Sequence, residues 1–161
     1  NIQEFVYKEN GFKNLLICGN HTGNGKTSWA IKLLQKYIAS IAETSYMDES
    51  PHAVFVPVAQ FVHDAKAFNT PYTDRYYSLS EAADAAELVV YDDIGAARYT
   101  EYDYLNLLVS IERRNLAEKV SIFTTNFTQK KDLSKLVGTR LADRVWDSSE
   151  VIEIKGRSVR Q

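Results

Sequence analysis

The sequence predicts an α/β fold in which a mostly parallel β-sheet is covered by helices on both faces. Short, near-continuous apolar runs alternate along the chain with longer segments whose apolar residues recur at helical spacing. Strands without a polar face are typical of parallel sheets that are buried on both sides. Polar residues cluster just after the apolar runs, and ligands of such sheets bind at the carboxyl ends of the strands.

The elements follow one another in a regular order. Strands are predicted from the apolar runs, which cover residues 14–18, 53–58, 88–91, 120–124 and 151–154. Helices are predicted between them and cover residues 26–42, 60–68, 101–117, 130–137 and 139–145. The segment 69–78 is predicted to be a loop, followed by a short alanine-rich helix that Ser80 caps. The second strand is predicted to end at Pro57, because proline cannot donate to a neighbouring strand.

The composition is ordinary for a globular protein. The 161 residues are enough for one domain with a sizeable core, and 45% are hydrophobic. No apolar run approaches the roughly 20 residues of a membrane span, so no membrane partner is expected. The net charge of −2 gives no general case for nucleic-acid binding. The charge is uneven, however: residues 1–106 carry 8 Lys and Arg against 14 Asp and Glu, and residues 107–161 carry 11 against 7.

The only cysteine, Cys18, lies in an apolar run and is expected to be a buried core residue, which suits a reducing compartment. The chain begins with Asn1 rather than Met. We therefore expect residues 1–161 to form a single domain from a longer protein, without an N-terminal partner-binding domain.

A glycine-rich segment from Gly19 to Thr27 joins the first predicted strand to the first predicted helix, as in a P-loop or Walker A motif. Glycines let backbone N–H groups wrap the phosphates of a nucleotide, and the helix N-terminus adds its positive dipole end. We expect Lys26 to reach the β- and γ-phosphates and the Thr27 hydroxyl to ligate Mg²⁺. The residues predicted to bind ATP or a similar nucleotide are Gly23, Asn24, Gly25, Lys26, Thr27 and Ser28.

One position departs from the usual G-x-x-x-x-G-K-[ST] pattern, because Asn20 stands where the first glycine is expected. Asn tolerates a positive φ better than most residues, so the loop is still expected to form.

Two carboxylates, Asp92 and Asp93, follow the apolar run 88–91. A carboxylate at a strand end beside a P-loop holds Mg²⁺ directly or through water, and we assign this Walker B role to Asp92. Asp93 is then placed to orient or deprotonate the water that attacks the γ-phosphate. Many proteins of this kind have Glu at the second position. Asp is one methylene shorter, so slow hydrolysis is expected.

Asn126 follows the fourth predicted strand. If that strand is a neighbour of the first and third, the Asn126 side chain lies between the two motifs and can position the attacking water. The alternative is an Asx turn at the end of the strand.

In this order and spacing, the segments GNGKT, VVYDDIG, IFTTN, GTRLADR and GRSVR resemble the AAA+ ATPases of the DnaC/DnaI helicase-loader group, with the IstB transposition helpers as close cousins. The resemblance covers about residues 12–160. It implies a three-layer P-loop NTPase of the AAA+ type with a five-stranded sheet. Seven residues follow Ile154, so no helical lid domain is expected.

The resemblance also implies roles for single residues. Asn126 would be sensor 1, and Arg160 would be sensor 2 in contact with the phosphates. Arg144 would be the arginine finger that reaches the γ-phosphate of ATP in a neighbouring subunit, so that the chain associates with itself through Arg144. Arg140 lies four residues earlier on the same helical face and would share this role.

Both arginine assignments have alternatives. Arg144 can instead form a surface ion pair with Asp143 or Asp147. Arg160, close to the end of the chain, can instead be a surface residue without a role.

The expected function is that of an ATPase that helps to load a replicative helicase hexamer onto single-stranded DNA in the cytoplasm of a bacterium, encoded by that bacterium or by a phage. One alternative is an IstB-like transposition helper, which the motifs scarcely distinguish. A second is a small-molecule P-loop kinase, which would leave the TTN and G-x-R-x-x-D-R segments unexplained. A third is a nucleotide-binding switch with little hydrolysis, which the short Asp93 suggests.

Contact with single-stranded DNA is suggested by aromatic residues that fall in or beside predicted loops, with basic residues nearby. The tyrosines are Tyr72, Tyr76, Tyr77, Tyr99, Tyr102 and Tyr104, and the basic residues are Lys66, Arg75 and Arg98. The alternative is that these tyrosines pack at the edge of the domain.

Overall fold

The computed structural model describes residues 1–7, 11, 13–21, 23, 25–44, 50–67 and 70–156. Its sheet has five strands, which are β1 (Asn14–Cys18), β2 (Ala53–Pro57), β3 (Leu88–Asp92), β4 (Val120–Thr125) and β5 (Ser149–Glu153). Every pair of neighbouring strands is parallel, and their order across the sheet is β2-β3-β4-β1-β5. The predicted parallel five-stranded sheet is confirmed.

Helices connect the strands and cover both faces of the sheet. They are α1 (Ile2–Tyr7), α2 (Lys26–Thr44), α3 (Val58–Lys66), α4 (Pro71–Ala85), α5 (Leu105–Leu116), α6 (Lys130–Val137) and α7 (Thr139–Trp146), with a 3₁₀ helix at Tyr102–Tyr104 directly before α5. None of the helices in the described residues is long and apolar enough to cross a lipid bilayer.

The central strands β1, β3 and β4 are buried on both faces because each face contributes to a separate core, whereas the edge strand β5 is largely exposed. In β1, Leu16 packs with residues of α3 to α7, whereas Ile17 packs with α1 and α2. In β3, Val89 packs in the first of these cores and Leu88 in the second, because successive side chains of a strand point to opposite faces. The result is the predicted three-layer α/β arrangement, and Cys18 is buried at the end of β1 as expected.

The prediction of a loop over residues 69–78 is wrong for the described part, because α4 begins at Pro71 and runs without a break to Ala85. Pro71 marks the start of a helix here, where its missing N–H costs no hydrogen bond. Arg75 binds the buried Asp64 of α3 through two hydrogen bonds of 2.8 Å, and Tyr76 packs on Phe61.

Candidate nucleotide-binding site

The predicted P-loop lies between the carboxyl end of β1 and the start of α2 at Lys26. Gly23 and Gly25 both have left-handed φ angles, of 79° and 93°, which a side chain would disfavour. Asn20 needs no such conformation, since it is not among the residues with positive φ. Its replacement of glycine is therefore compatible with the loop. Asn24 lies outside the described residues.

Lys26 is buried at the first turn of α2, with 6% of its surface exposed. Its Nζ donates a hydrogen bond of 3.0 Å to the backbone carbonyl of His21 in the same loop. Burial lowers the pKa of Lys26, and the nearby charges of Asp93 and Asp92 oppose that change. The ammonium group therefore lies between the loop and both acidic residues. Ser28 follows on an exposed part of the helix.

Asp92 links the two predicted motifs directly. Its Oδ1 accepts a hydrogen bond of 2.9 Å from the Thr27 hydroxyl and one of 2.7 Å from the Thr124 hydroxyl of the neighbouring strand. Since Asp92 is only 9% exposed, these bonds fix the carboxylate in place. The structure brings Thr27 and Asp92 together, as the proposed sharing of one metal ion requires.

Mg²⁺ fits this pair of oxygens. Thr27 Oγ1 and Asp92 Oδ1 are 2.9 Å apart, which is about the separation of adjacent ligands around an octahedral ion with bonds of ~2.1 Å. Proteins usually bind Mg²⁺ through one or two carboxylates together with the phosphates of a substrate. Thr27 and Asp92 are therefore the residues that would hold it.

Asp93 has an unusual backbone conformation, with a φ of 65°. Its N–H donates a hydrogen bond of 2.8 Å to the Thr124 hydroxyl, which holds the turn. Asp is enriched over longer side chains in this left-handed region, so the backbone favours Asp where Glu is more usual. Burial raises the pKa of Asp93, the charge of Asp92 raises it further, and Lys26 opposes both effects. A raised pKa suits a group that accepts a proton from water.

The residues after Asp93 pack closely against the residues at and after the end of β4. Gly95 has a φ of 86°, and a Cβ atom added there would lie 2.8 Å from the ring of Phe127. The Thr125 hydroxyl donates a hydrogen bond of 2.7 Å to the carbonyl of Ile94. Asn126, which is half-buried, lies between Thr125 and Phe127 at the end of β4. Because β4 lies between β1 and β3, Asn126 is at the edge of the sheet where both motifs end.

Thr124 and Thr125, which carry no predicted role, both organise the site. Each is almost completely buried at the end of β4, and each hydroxyl bonds to the Walker B segment. The available signal was a pair of polar residues at the end of an otherwise apolar strand, since buried hydroxyls need hydrogen-bond partners.

Arg140 and Arg144 lie on α7 and share one carboxylate, that of Glu112 on α5. Glu112 Oε1 is 3.1 Å from Arg140 Nη2 and 3.3 Å from Arg144 Nε. The prediction that both arginines lie on one helical face is therefore confirmed. Within the described residues, their contact is with α5.

The ion pairs considered as alternatives for Arg144 are absent from the described residues. Asp143 and Asp147 instead pair with Lys130, at 3.1 Å and 3.0 Å. Arg160, the predicted sensor 2, lies outside the described residues.

The backbone of Arg144 lies at the end of the sheet opposite to the nucleotide loop. Its carbonyl accepts a hydrogen bond from Ser148, whose hydroxyl in turn accepts one of 3.0 Å from Asn14. Asn14 is the first residue of β1, whereas the loop follows Cys18, its last residue. A strand rises about 3.3 Å per residue, so the two ends of β1 are about 13 Å apart.

The tyrosines proposed to contact DNA divide into two groups. Tyr104 is buried and Tyr76 and Tyr99 are half-buried, whereas Tyr72, Tyr77 and Tyr102 are exposed. Two of the three basic side chains are engaged within the domain, since Arg75 binds Asp64 and Lys66 pairs with Asp103 at 3.1 Å, whereas Arg98 is exposed. Packing at the domain edge therefore accounts for half of these tyrosines.

No protein-family model and no curated protein matches the chain. Solved structures do match. A DnaC helicase loader has a TM-score of 0.70 and 20% identity over 96% of this chain and 86% of its own. A DnaI structure has a TM-score of 0.68 and 20% identity over 99% of this chain and 80% of its own.

The replication initiator DnaA, in a structure with AMPPCP and single-stranded DNA, has a TM-score of 0.69 and 16% identity over 97% of this chain. The match spans 44% of the initiator's length. At such identities the likeness shows the fold. The chain has the AAA+ fold of the P-loop NTPases, as found in the DnaC and DnaI helicase loaders and in DnaA.

Proposed function

We propose that this chain is a Mg²⁺-dependent ATPase whose active site is completed by Arg144 of a second copy. The observation that carries the proposal is the bonding of Thr27 to Asp92, with buried Lys26 beside the same carboxylates. This arrangement supports binding of a nucleoside triphosphate, because it combines a backbone cradle, a cation for the phosphates and oxygen ligands for Mg²⁺.

Each residue of the site has a separate task. Lys26 exchanges its bond to the His21 carbonyl for oxygens of the β- and γ-phosphates. Thr27 and Asp92 would hold Mg²⁺, which would supply positive charge against the phosphate oxygens when bound. Asp93 accepts a proton from the attacking water, and Asn126 orients that water. Their positions at neighbouring strand ends support this division of tasks.

A role for Arg144 in a neighbouring copy is supported by its location. An arginine at the amino end of β1 cannot easily reach a phosphate bound beyond the carboxyl end, about 13 Å away. A second copy can present it, and the planar guanidinium then neutralises charge that develops on the transferred phosphoryl group.

We further propose that the ATPase helps to load a replicative helicase onto single-stranded DNA in the bacterial cytoplasm. The ordered motif set and the AAA+ fold shared with DnaC and DnaI support this proposal. The exposed Tyr72, Tyr77 and Tyr102 offer stacking surfaces for bases.

The test of the ATPase is hydrolysis by wild type, Arg144→Ala and Asp93→Asn, with the association state measured with and without ATP. We expect turnover and ATP-dependent association in the wild type. Loss of turnover is expected in both variants, by about 10³-fold for an arginine finger. Wild type that stays at background hydrolysis and resembles Asp93→Asn would instead indicate a nucleotide-binding switch.

The partner is tested by a pull-down with the full-length protein, comparing a hexameric replicative helicase with a transposase. Binding of the helicase supports loading, and selective binding of the transposase supports the transposition alternative. Turnover that rises with a small-molecule acceptor but not with DNA would favour a kinase.

A further inference from the structure

The carboxylate of Glu112 is the contact that holds the two arginines of α7 against α5. Its Oε1 atom is fully covered and has no hydrogen-bond partner in the described residues, so its contacts with Arg140 Nη2 at 3.1 Å and Arg144 Nε at 3.3 Å are ion pairs. Arginines four residues apart on a helix repel each other, and a shared carboxylate offsets that repulsion. Glu112 therefore fixes both side chains at once.

The two arginines are held in different ways. Arg140 contacts both carboxylate oxygens through its terminal Nη2, at 3.1 Å and 3.4 Å. Arg144 contacts Glu112 only through Nε, and no group of the described residues bonds to its terminal nitrogens. A guanidinium held at Nε keeps its terminal N–H groups for a second anion, which it can bind with two hydrogen bonds. Glu112 thus orients Arg144 and leaves its terminal nitrogens accessible to another anion.

A second glutamate of the α5 region lies close to the start of α7. Gly138 precedes the helix with a φ of 91°, and a Cβ atom added there would lie 2.5 Å from the carboxyl group of Glu101. Glu101 stands directly before the 3₁₀ helix that leads into α5. The absence of a side chain at Gly138 therefore allows the start of α7 to approach this region closely.

We propose that Glu112 is the positioning residue for Arg144, and that it holds the terminal nitrogens ready for the γ-phosphate bound by a second copy. This inference rests on the proposed function, in which Arg144 acts on a neighbouring site. In the part of the chain that the structure describes, the polar contacts of Glu112 are with α7 and not with the nucleotide loop or the Walker B residues, so it acts through the arginine.

The test uses mixtures of two inactive chains. Arg144→Ala keeps an intact nucleotide site but offers no arginine, whereas Asp93→Asn has an inactive site but offers Arg144. In a mixture, the Arg144→Ala sites receive Arg144 from Asp93→Asn copies, so hydrolysis should return. Glu112→Gln is then added to one chain or to the other.

We expect Glu112→Gln to reduce the recovered hydrolysis about tenfold when it is placed in the Asp93→Asn chain, because a finger displaced by about 1 Å loses much of its effect. Placed in the Arg144→Ala chain, it should change nothing, since that chain contributes no finger. An equal loss from both placements would show a merely structural role and overturn the proposal. No loss from either placement would also overturn it.

Two further measurements separate positioning from damage. In the otherwise wild-type chain, Glu112→Gln should lower kcat about tenfold and leave KM for ATP within about twofold, and Glu112→Asp should restore part of kcat. Glu81→Gln, an exposed glutamate on α4 without an ion pair in the described residues, is the matched control and should leave both constants unchanged. A rise in KM without a fall in kcat would contradict the proposal.

Failure of the proposed function gives a different result. If Arg144→Ala alone keeps full hydrolysis, or if the mixture without Glu112→Gln recovers none, Arg144 does not act between copies. That outcome rejects the proposed function and this inference together. If the mixture recovers hydrolysis and Glu112→Gln does not reduce it, the inference alone is rejected.

Discussion

Buried charged residues have different environments at the two ends of the central sheet. At the amino end, Arg114 is 1% exposed, and its guanidinium donates to the Ser121 hydroxyl and to four backbone carbonyls, those of Ala83, Ala86, Glu87 and Val120. At the carboxyl end, Lys26 and Asp93 lie close together with pKa values that burial shifts toward their neutral forms.

The charge of Arg114 stabilises the fold, whereas the charges of Lys26 and Asp93 lie where the proposed ligand would bind. Burial lowers the pKa of Arg114 to about 10, so it stays charged at neutral pH with its donors satisfied by the chain itself. Lys26 binds a carbonyl of a loop, which a phosphate oxygen can replace. We therefore expect substitutions at the amino end to change stability and those at the carboxyl end to change binding and hydrolysis.

The largest expected effect is that of Arg114→Ala, which should lower the free energy of unfolding by about 3–5 kcal/mol because it leaves several buried carbonyls without a donor. Urea denaturation measures the change. Arg113→Ala is the control: this neighbour is exposed and pairs with Asp84 at 3.3 Å, so its loss should cost less than about 1 kcal/mol. Equal effects of the two substitutions would contradict the comparison.

The next effect is that of Lys26→Ala on nucleotide binding. Loss of the phosphate-binding ammonium should weaken binding of an ATP analogue about 100-fold, which corresponds to ~2.7 kcal/mol. The free energy of unfolding should change by less than about 1 kcal/mol, since burial of this charge is itself unfavourable. Calorimetric titration measures the affinity, with Lys32→Ala on the exposed part of α2 as the control. If Lys26→Ala binds the ATP analogue with wild-type affinity, Lys26 does not bind the phosphates.

A smaller effect is expected for Thr124→Val, which removes the hydroxyl that bonds to Asp92 and to the Asp93 N–H. The loss should cost about 1–2 kcal/mol of stability and slow hydrolysis more than it weakens ATP binding. Thr124→Ser keeps the hydroxyl and should behave like wild type. If Ser and Val behave alike at this position, the hydroxyl does not hold the carboxylates.

The smallest expected effect is a gain in stability for Asp93→Asn. The pKa of Asp93 is raised above its ordinary value of 3.8, so the folded chain binds this proton more readily than the unfolded chain. Stability therefore falls as the pH rises above 3.8 and the carboxyl group ionises. Asn cannot ionise, so the variant should be more stable than wild type at neutral pH.

That gain should disappear as the pH falls below 3.8, where the wild-type carboxyl is protonated in both states. Urea denaturation at several pH values tests this. A gain that is the same at every pH would arise instead from the preference of Asn for a left-handed φ.

Most of the sheet could be predicted because each strand is a short apolar run, and the parallel order follows from the helices between them. The first part of α4 was missed because Pro71 was interpreted as a loop residue, whereas it occupies the first turn of the helix. The alanine-rich end of α4 was predicted, but Ser80 lies inside the helix and does not cap it. The burial of Arg114 was also not predictable, since most of its partners are backbone carbonyls, whose approach depends on packing and not on residue type.

The motifs predicted that Lys26, Thr27 and Asp92 lie together, and the structure places them so; their roles toward a nucleotide stay predictions. Glu112 belongs to no motif. It is one glutamate on an amphipathic helix, and its importance arises only from the packing of α5 against α7. The left-handed backbone of Asp93 was likewise invisible in the sequence, although it explains why Asp is found there.

The location of Arg144 at the opposite end of β1 from the nucleotide loop has a consequence for assembly. Copies that donate the arginine from one surface and receive it at another must associate head to tail, and such contacts produce either closed rings or open filaments. In an open filament one terminal nucleotide site always lacks its arginine, whereas a ring completes every site. Hydrolysis per chain would then increase with filament length and reach its maximum on closure, so the activity itself reports the geometry of the assembly.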